Sequence, residues 1–147
     1  MQKQHYTYPS GTTIRNLIYN SLQRQQHILR LVSNQDNLPP WVLMLVSRAT
    51  NDLNTVDEFV NYYYNIDKTS NTLNGFEDNF MEELKKHYTT GSMIRNLLTS
   101  SHFRQTHILS IIKDNMDVPP WIVYKVSRAT GDLNTVDDFL TSYYLDI

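Results

Sequence analysis

Residues 39–60 read PPWVLMLVSRATNDLNTVDEFV, and residues 119–140 read PPWIVYKVSRATGDLNTVDDFL. The two stretches are copies of one another, 80 positions apart. The likeness runs outward from them in both directions without gaps. Ile14-Arg15-Asn16-Leu17 returns as Ile94-Arg95-Asn96-Leu97, and His27-Ile28-Leu29 as His107-Ile108-Leu109. Over 8–64 and 88–144, roughly half of the paired positions are identical. Self-similarity at a fixed offset marks a duplicated structural unit.

Each copy reads as two helices. In the first, Ile14, Leu17, Ile18, Leu22, Ile28, Leu29 and Val32 recur at spacings of three and four, forming one apolar face. Ser10 or Thr12 is positioned to cap its start. The polar run from Ser33 to Asn37 ends it. Proline is tolerated in the first helical turn, where its missing N–H has no partner to lose, so Pro39-Pro40 should open the second helix. That helix continues through Val42, Leu45, Val46, Ala49, Leu53, Val56, Phe59, Val60 and Tyr63. Thr55 to Glu58 resembles a capping box, but the stripe keeps its phase across it, which predicts one long helix. Arg48 and Asp52, four apart, are spaced to pair along its surface.

The expected fold is therefore all-α: a tandem duplication of a two-helix hairpin module, packed as a pseudo-symmetric helical bundle. One hairpin buries little apolar surface, whereas two stacked through their stripes make a core. The boundaries are 1–67 for the first repeat and 88–147 for the second. Between them, 68–87 reads as a linker rich in Asn, Thr and Ser, followed by a short connecting helix through Phe76, Phe80 and Leu84. No long run alternates with period two, so no sheet is expected.

Composition narrows the chemistry. The 147 residues carry 13 basic and 15 acidic side chains, a formal net charge of −2. Charged residues make up 19%, below the roughly 25% of an average chain. A strongly basic nucleic-acid coat is excluded, as is an acidic disordered tail. There is no Cys, hence no disulfide, thiolate metal site or thiol nucleophile. No apolar run approaches the roughly 18 residues of a membrane span, and Met1–Tyr8 lacks a signal-peptide core.

No catalytic constellation stands out. His102 and His107 lie five apart, not at the i, i+4 spacing of a helical metal pair. His27 and His107 read as surface or interface residues bonded to a neighbour such as Gln23 or Gln105. Asp57-Glu58 and Asp137-Asp138 read as solvated or capping acids rather than an acid–base pair. Glycine-rich phosphate loops, Gly-x-Ser-x-Gly elbows and HExxH are absent. The expectation is a protein that is not an enzyme and needs no cofactor or metal. The recurring Arg15, Arg24, Arg48 and their counterparts are interleaved with acids, so nucleic acid is not the expected partner.

The aromatic residues point to contact surfaces. Trp41 and Trp121 each follow Pro-Pro, as core residues or as exposed anchors. Tyr62-Tyr63-Tyr64 and Tyr143-Tyr144 close the second helices. Helical neighbours point about 100° apart, so three consecutive rings cannot all face one core. Some should be exposed and available to a partner. Trp41, Trp121, Tyr62, Tyr64, Tyr143, Tyr144, Arg48 and Arg128 are the expected interface residues.

The element Pro-Trp-x-x-x-(Leu/Lys)-Val-Ser-Arg-Ala-Thr-x-Asp-Leu-x-Thr-Val-x-(Glu/Asp)-Phe resembles one found in small virion proteins of tailed bacteriophages, those of marine and cyanobacterial phages above all. It covers Pro40–Phe59 and Pro120–Phe139. Lys125 follows the pattern, while Leu45 departs from it. The resemblance implies a structural component of the particle, made in the host cytoplasm and located in the virion. Within that class, the expectation is a capsid cement or decoration protein bridging neighbouring subunits. Its partner would be the major capsid protein or another virion protein, with self-association open. A neck, tail or internal head component is the neighbouring reading. A small regulatory module binding a host protein or DNA is the reading of another class.

Overall fold

A computed structural model describes residues 9–64 and 89–145. The expected connecting helix and the linker at 68–87 lie outside the described residues. Four helices follow in order: α1 (Ser10–Leu31), α2 (Pro40–Tyr64), α3 (Thr90–Ile111) and α4 (Pro120–Leu145). They pack against one another as an all-α bundle, and no strand occurs among the described residues. Each second helix opens at the second proline and runs unbroken through the Asn-Thr-Val-Asp segment.

The pairing of the helices is the unexpected feature. The main partner of α1 is α4, that of α2 is α3, and α2 also packs along α4. The two helices of one copy barely touch each other. Each hairpin is thus opened, and each copy buries its stripe against the other copy. The connector explains why. Val32 leaves α1 in an extended conformation. Pro39 and Pro40 then disfavour a helical turn in the residues before them. The second helix cannot fold straight back onto the first.

The connector instead reaches the other copy. The Gly11 N–H donates to the Met116 carbonyl at 2.8 Å, and the Gly91 N–H to the Asp36 carbonyl at 2.9 Å. Loops of one copy thereby satisfy free N–H groups at the helix start of the other. This close approach demands glycine. A Cβ on Gly11 would lie 2.1 Å from the Lys113 carbonyl oxygen, and one on Gly91 would lie 2.3 Å from that of Ser33.

Helix capping differs from the sequence reading. Neither Ser10 nor Thr12 caps α1, which Pro9 precedes without a side-chain cap. The Ser10 hydroxyl accepts from the Val118 N–H at 2.7 Å, and Thr12 donates to the Asp114 carbonyl at 2.9 Å. Both serve the contact between copies. In the second copy Thr89 does cap, accepting from the Ser92 N–H at 3.1 Å.

The core is aliphatic and follows the predicted stripes. Ile14, Ile18, Ile28, Val42, Val46, Val56 and Val60 are fully buried, as are Ile94, Leu98, Ile108, Ile122, Val126, Val136 and Leu140. Leu17, Leu22, Leu29, Leu45 and Phe59 are half-buried against that core. Each fully buried aliphatic side chain contributes on the order of 1.5–3 kcal/mol.

Candidate interaction surface

The repeated polar residues form the frame on which any outer surface is built. Arg48 donates from Nε and Nη2 to Asp132 at 2.9 and 2.7 Å. Arg128 does the same to Asp52, at 2.8 Å for both bonds. These are bidentate, charge-assisted pairs, the strongest geometry an ion pair adopts. The expected bond from Arg48 to Asp52 along one helix is therefore replaced by a bond between copies. The hydrogen bonds and charge of Asp132 hold the Arg48 guanidinium above its usual pKa, and Asp52 does so for Arg128.

A second pair of clusters lies near the ends of the bundle. Asp57 is buried and accepts from Arg104 Nη1 at 2.7 Å, with His107 Nδ1 at 2.5 Å. Asp137 is buried and accepts from Arg24 Nη1 at 2.9 Å, with His27 Nδ1 at 2.5 Å. Asp57 and Asp137 are thus neither solvated nor helix caps. The histidines are bonded to them rather than to Gln23 or Gln105.

A third set closes the helix ends. Arg15 donates to the Leu109 and Ile112 carbonyls, both at 2.7 Å. Arg95 donates to those of Leu29 and Val32 at 2.5 and 2.7 Å. A guanidinium there satisfies free carbonyls and sits favourably at the negative end of the helix dipole. Every one of these bonds has a counterpart displaced by 80 residues in both partners. That reciprocity is the signature of an isologous, two-fold interface. The spacing could have revealed it: Arg, His and Asp retained at matching positions of both copies are what reciprocal pairing requires.

The aromatic residues gather in two related patches, each assembled from both copies. In one, Trp121 meets Phe59 edge-on with centroids 5.1 Å apart, and Tyr63 lies 4.4 Å from Phe59. Tyr62 extends it, 4.9 Å from Tyr63. In the other, Trp41 meets Phe139 edge-on at 4.8 Å, and Tyr143 stacks on Phe139 at 5.4 Å. Edge-on and offset rings at these distances are the favoured aromatic geometries.

Exposure separates the predicted interface residues. Tyr62 and Tyr63 are 64% and 63% exposed, Trp121 and Tyr143 each 42%, and Trp41 37%. The tryptophans are therefore neither buried in the core nor free: one edge rests on Phe59 or Phe139, the other faces out. Tyr64 and Tyr144 turn inward against the core. The Tyr144 hydroxyl donates to the Asp36 carboxylate, while that of Tyr64 reaches the Asp117 carbonyl at 3.5 Å. Arg48 and Arg128 are partly exposed, with their guanidinium groups committed to the bonds between copies. Sequence reading passed over Phe59 and Phe139, the hinges of both patches. Their place next to an acid in a repeated motif looked like ordinary core.

Among the described residues, no group of three or more His, Asp or Glu is placed to hold a metal ion. No helix there is long and apolar enough to cross a membrane. No family model, curated protein or solved structure matches the chain.

Proposed function

We propose that the protein is a non-enzymatic structural component of a tailed-phage particle, a cement or decoration protein that bridges neighbouring capsid subunits. The observation that carries this reading is the pair of aromatic patches around Trp121 and Trp41. Each offers exposed Trp and Tyr, the residue types that dominate binding hot spots. Each is seated on a core locked by ion pairs, so its shape is set before binding, which lowers the entropic cost of association. Two related patches on one rigid body suit a partner that is itself repeated. Engaging two equivalent neighbours raises avidity without either contact being strong. The likeness of Pro40–Phe59 and Pro120–Phe139 to phage virion proteins supports the same assignment.

The test is quantitative mass spectrometry of washed particles from the source phage, scored against the major shell protein. A copy number near that of the shell subunit is expected. A dozen copies or fewer would move the protein to the neck or tail. Absence would overturn a virion role and leave a regulatory module. Binding of the purified chain to assembled capsids provides the residue-level check. Tyr63→Ser and Tyr143→Ser should together abolish it while shifting stability by no more than about 0.5 kcal/mol, as for ordinary surface changes.

A further inference from the structure

We propose that the face each copy presents to the other is self-complementary, so that a second copy of this chain fits it. The protein is then a single-chain dimer able to exchange repeats with a neighbour. The argument starts from the reciprocity of the bonds. Copy one supplies Arg48 to Asp132 and receives Arg128 on Asp52. It therefore carries, on one surface, both the donor and the acceptor that its partner needs. The same holds for Arg24 and His27 with Asp57, for Arg15 with the Leu29 and Val32 carbonyls, and for Trp41 with Phe59. In each set, two copies of repeat one would find the groups that repeat two now provides.

The cores agree as well. Ile14, Ile28, Val46, Ala49, Leu53 and Val56 match Ile94, Ile108, Val126, Ala129, Leu133 and Val136 residue for residue. Val32, Val42 and Val60 face Ile112, Ile122 and Leu140, and Leu38 faces Val118. These differences are single methylenes that nearly cancel across the mixed pair. A like-with-like pair would be slightly under-filled or over-filled, each a modest cost. That difference, with the high effective concentration of a tethered partner, favours closure within one chain. Because each copy's own helices barely touch, opening the pair leaves no alternative partner within the copy. Released, a copy must pair with another chain.

Charge reversal in one copy tests this on the full chain. In R48D/D52R, pairing within the chain sets Asp against Asp132 and Arg against Arg128. Repeat one with repeat one, and repeat two with repeat two, regain opposite charges. The variant should keep its helical circular dichroism and move from the 17.3 kDa monomer mass to twice that value or a higher multiple, read by light scattering after size exclusion. Adding R128D/D132R restores complementarity within the chain. Lys125→Leu must accompany it, because Lys125 sits 3.6 Å from Asp52 and would repel an arginine there. This five-substitution variant should return to the monomer mass. The proposal is overturned if R48D/D52R stays at the monomer mass, whether helical or unfolded. It is equally overturned if the five-substitution variant remains associated, which would mark non-specific aggregation.

Discussion

The two copies share a backbone plan but not the same degree of enclosure. Around Asp57 the ion cluster is sealed: Arg104 is 4% exposed. Around Asp137 it is open: Arg24 is 41% exposed and also reaches Asp138 at 3.7 Å. At the centre, Gln105 donates to Ser21 at 2.8 Å, whereas the buried Gln25 amide has no hydrogen-bond partner among the described residues. At the outer ends, Tyr144 meets a carboxylate at Asp36, but position 116, its counterpart, is Met. The molecule thus contains its own control experiment. The same residue type in the same local fold sits in two environments, so the environment sets the energetic difference.

The largest contrast should come from the sealed cluster. Arg104→Met leaves the buried Asp57 with His107 alone and should cost about 3 kcal/mol, toward the lower end for a broken buried pair. Arg24→Met removes a half-solvated partner and should cost about 1 kcal/mol. Urea denaturation of both variants checks the difference, and equal losses would show that enclosure does not govern these pairs.

The central glutamines come next. Gln105→Met deletes a made bond and leaves the Ser21 hydroxyl with its Ile18 carbonyl only, for a loss of about 1 kcal/mol. Gln25→Met removes a buried amide that has no bond to lose, and should raise stability by about 1 kcal/mol. Opposite shifts in melting temperature are the expected readout.

The smallest contrast lies at the tyrosines and is sharpened by pH. Hydrogen bonds from the Ser33 N–H and from the Tyr144 and Ser33 hydroxyls outweigh the opposing effect of burial and hold Asp36 below its ordinary 3.8. Burial and the bond to Asp36 push Tyr144 above its ordinary 10.0. The lowered carboxyl stabilises the fold above pH 3.8 and stops doing so as pH falls through its folded value. The raised phenol stabilises below pH 10.0 and stops doing so as pH rises through its own folded value. Tyr144→Phe should therefore cost about 1 kcal/mol near neutrality and less in acid, since the bond is partly exposed. Tyr64→Phe, whose hydroxyl makes only a 3.5 Å contact, should be close to silent at every pH. Denaturation midpoints at about pH 3 and pH 7 decide it.

The helices and their buried faces could be read from the sequence because apolar spacing is a local property. Val42, Val46, Ala49 and Leu53 announce a buried stripe to any reader of the chain. What that stripe packs against is not local. Arg48 has an acid four residues on, and helical geometry makes that pairing natural. The structure instead sends Arg48 to Asp132, because two open hairpins bring the second helices side by side. The same gap hid the aromatic patches: Trp41 and Phe139 are 98 positions apart, and only the pairing of copies joins them. The exposure of Tyr62, by contrast, followed from counting rings around a helix.

Because the two helices of a copy barely touch, synthesis of the chain has an awkward interval. When Tyr64 has been added, the first repeat has no surface on which to bury Ile14, Ile18 or Val46. Its partner is complete only once α4 has been translated. At typical synthesis rates of about 5–20 residues per second, that leaves roughly 4–16 s in which a sticky, half-built protein trails from the ribosome. Neighbouring ribosomes on one message carry identical stretches at the same stage. The fold thus depends on timing as well as on sequence, and slowing translation between the repeats should raise the share of product lost to aggregation.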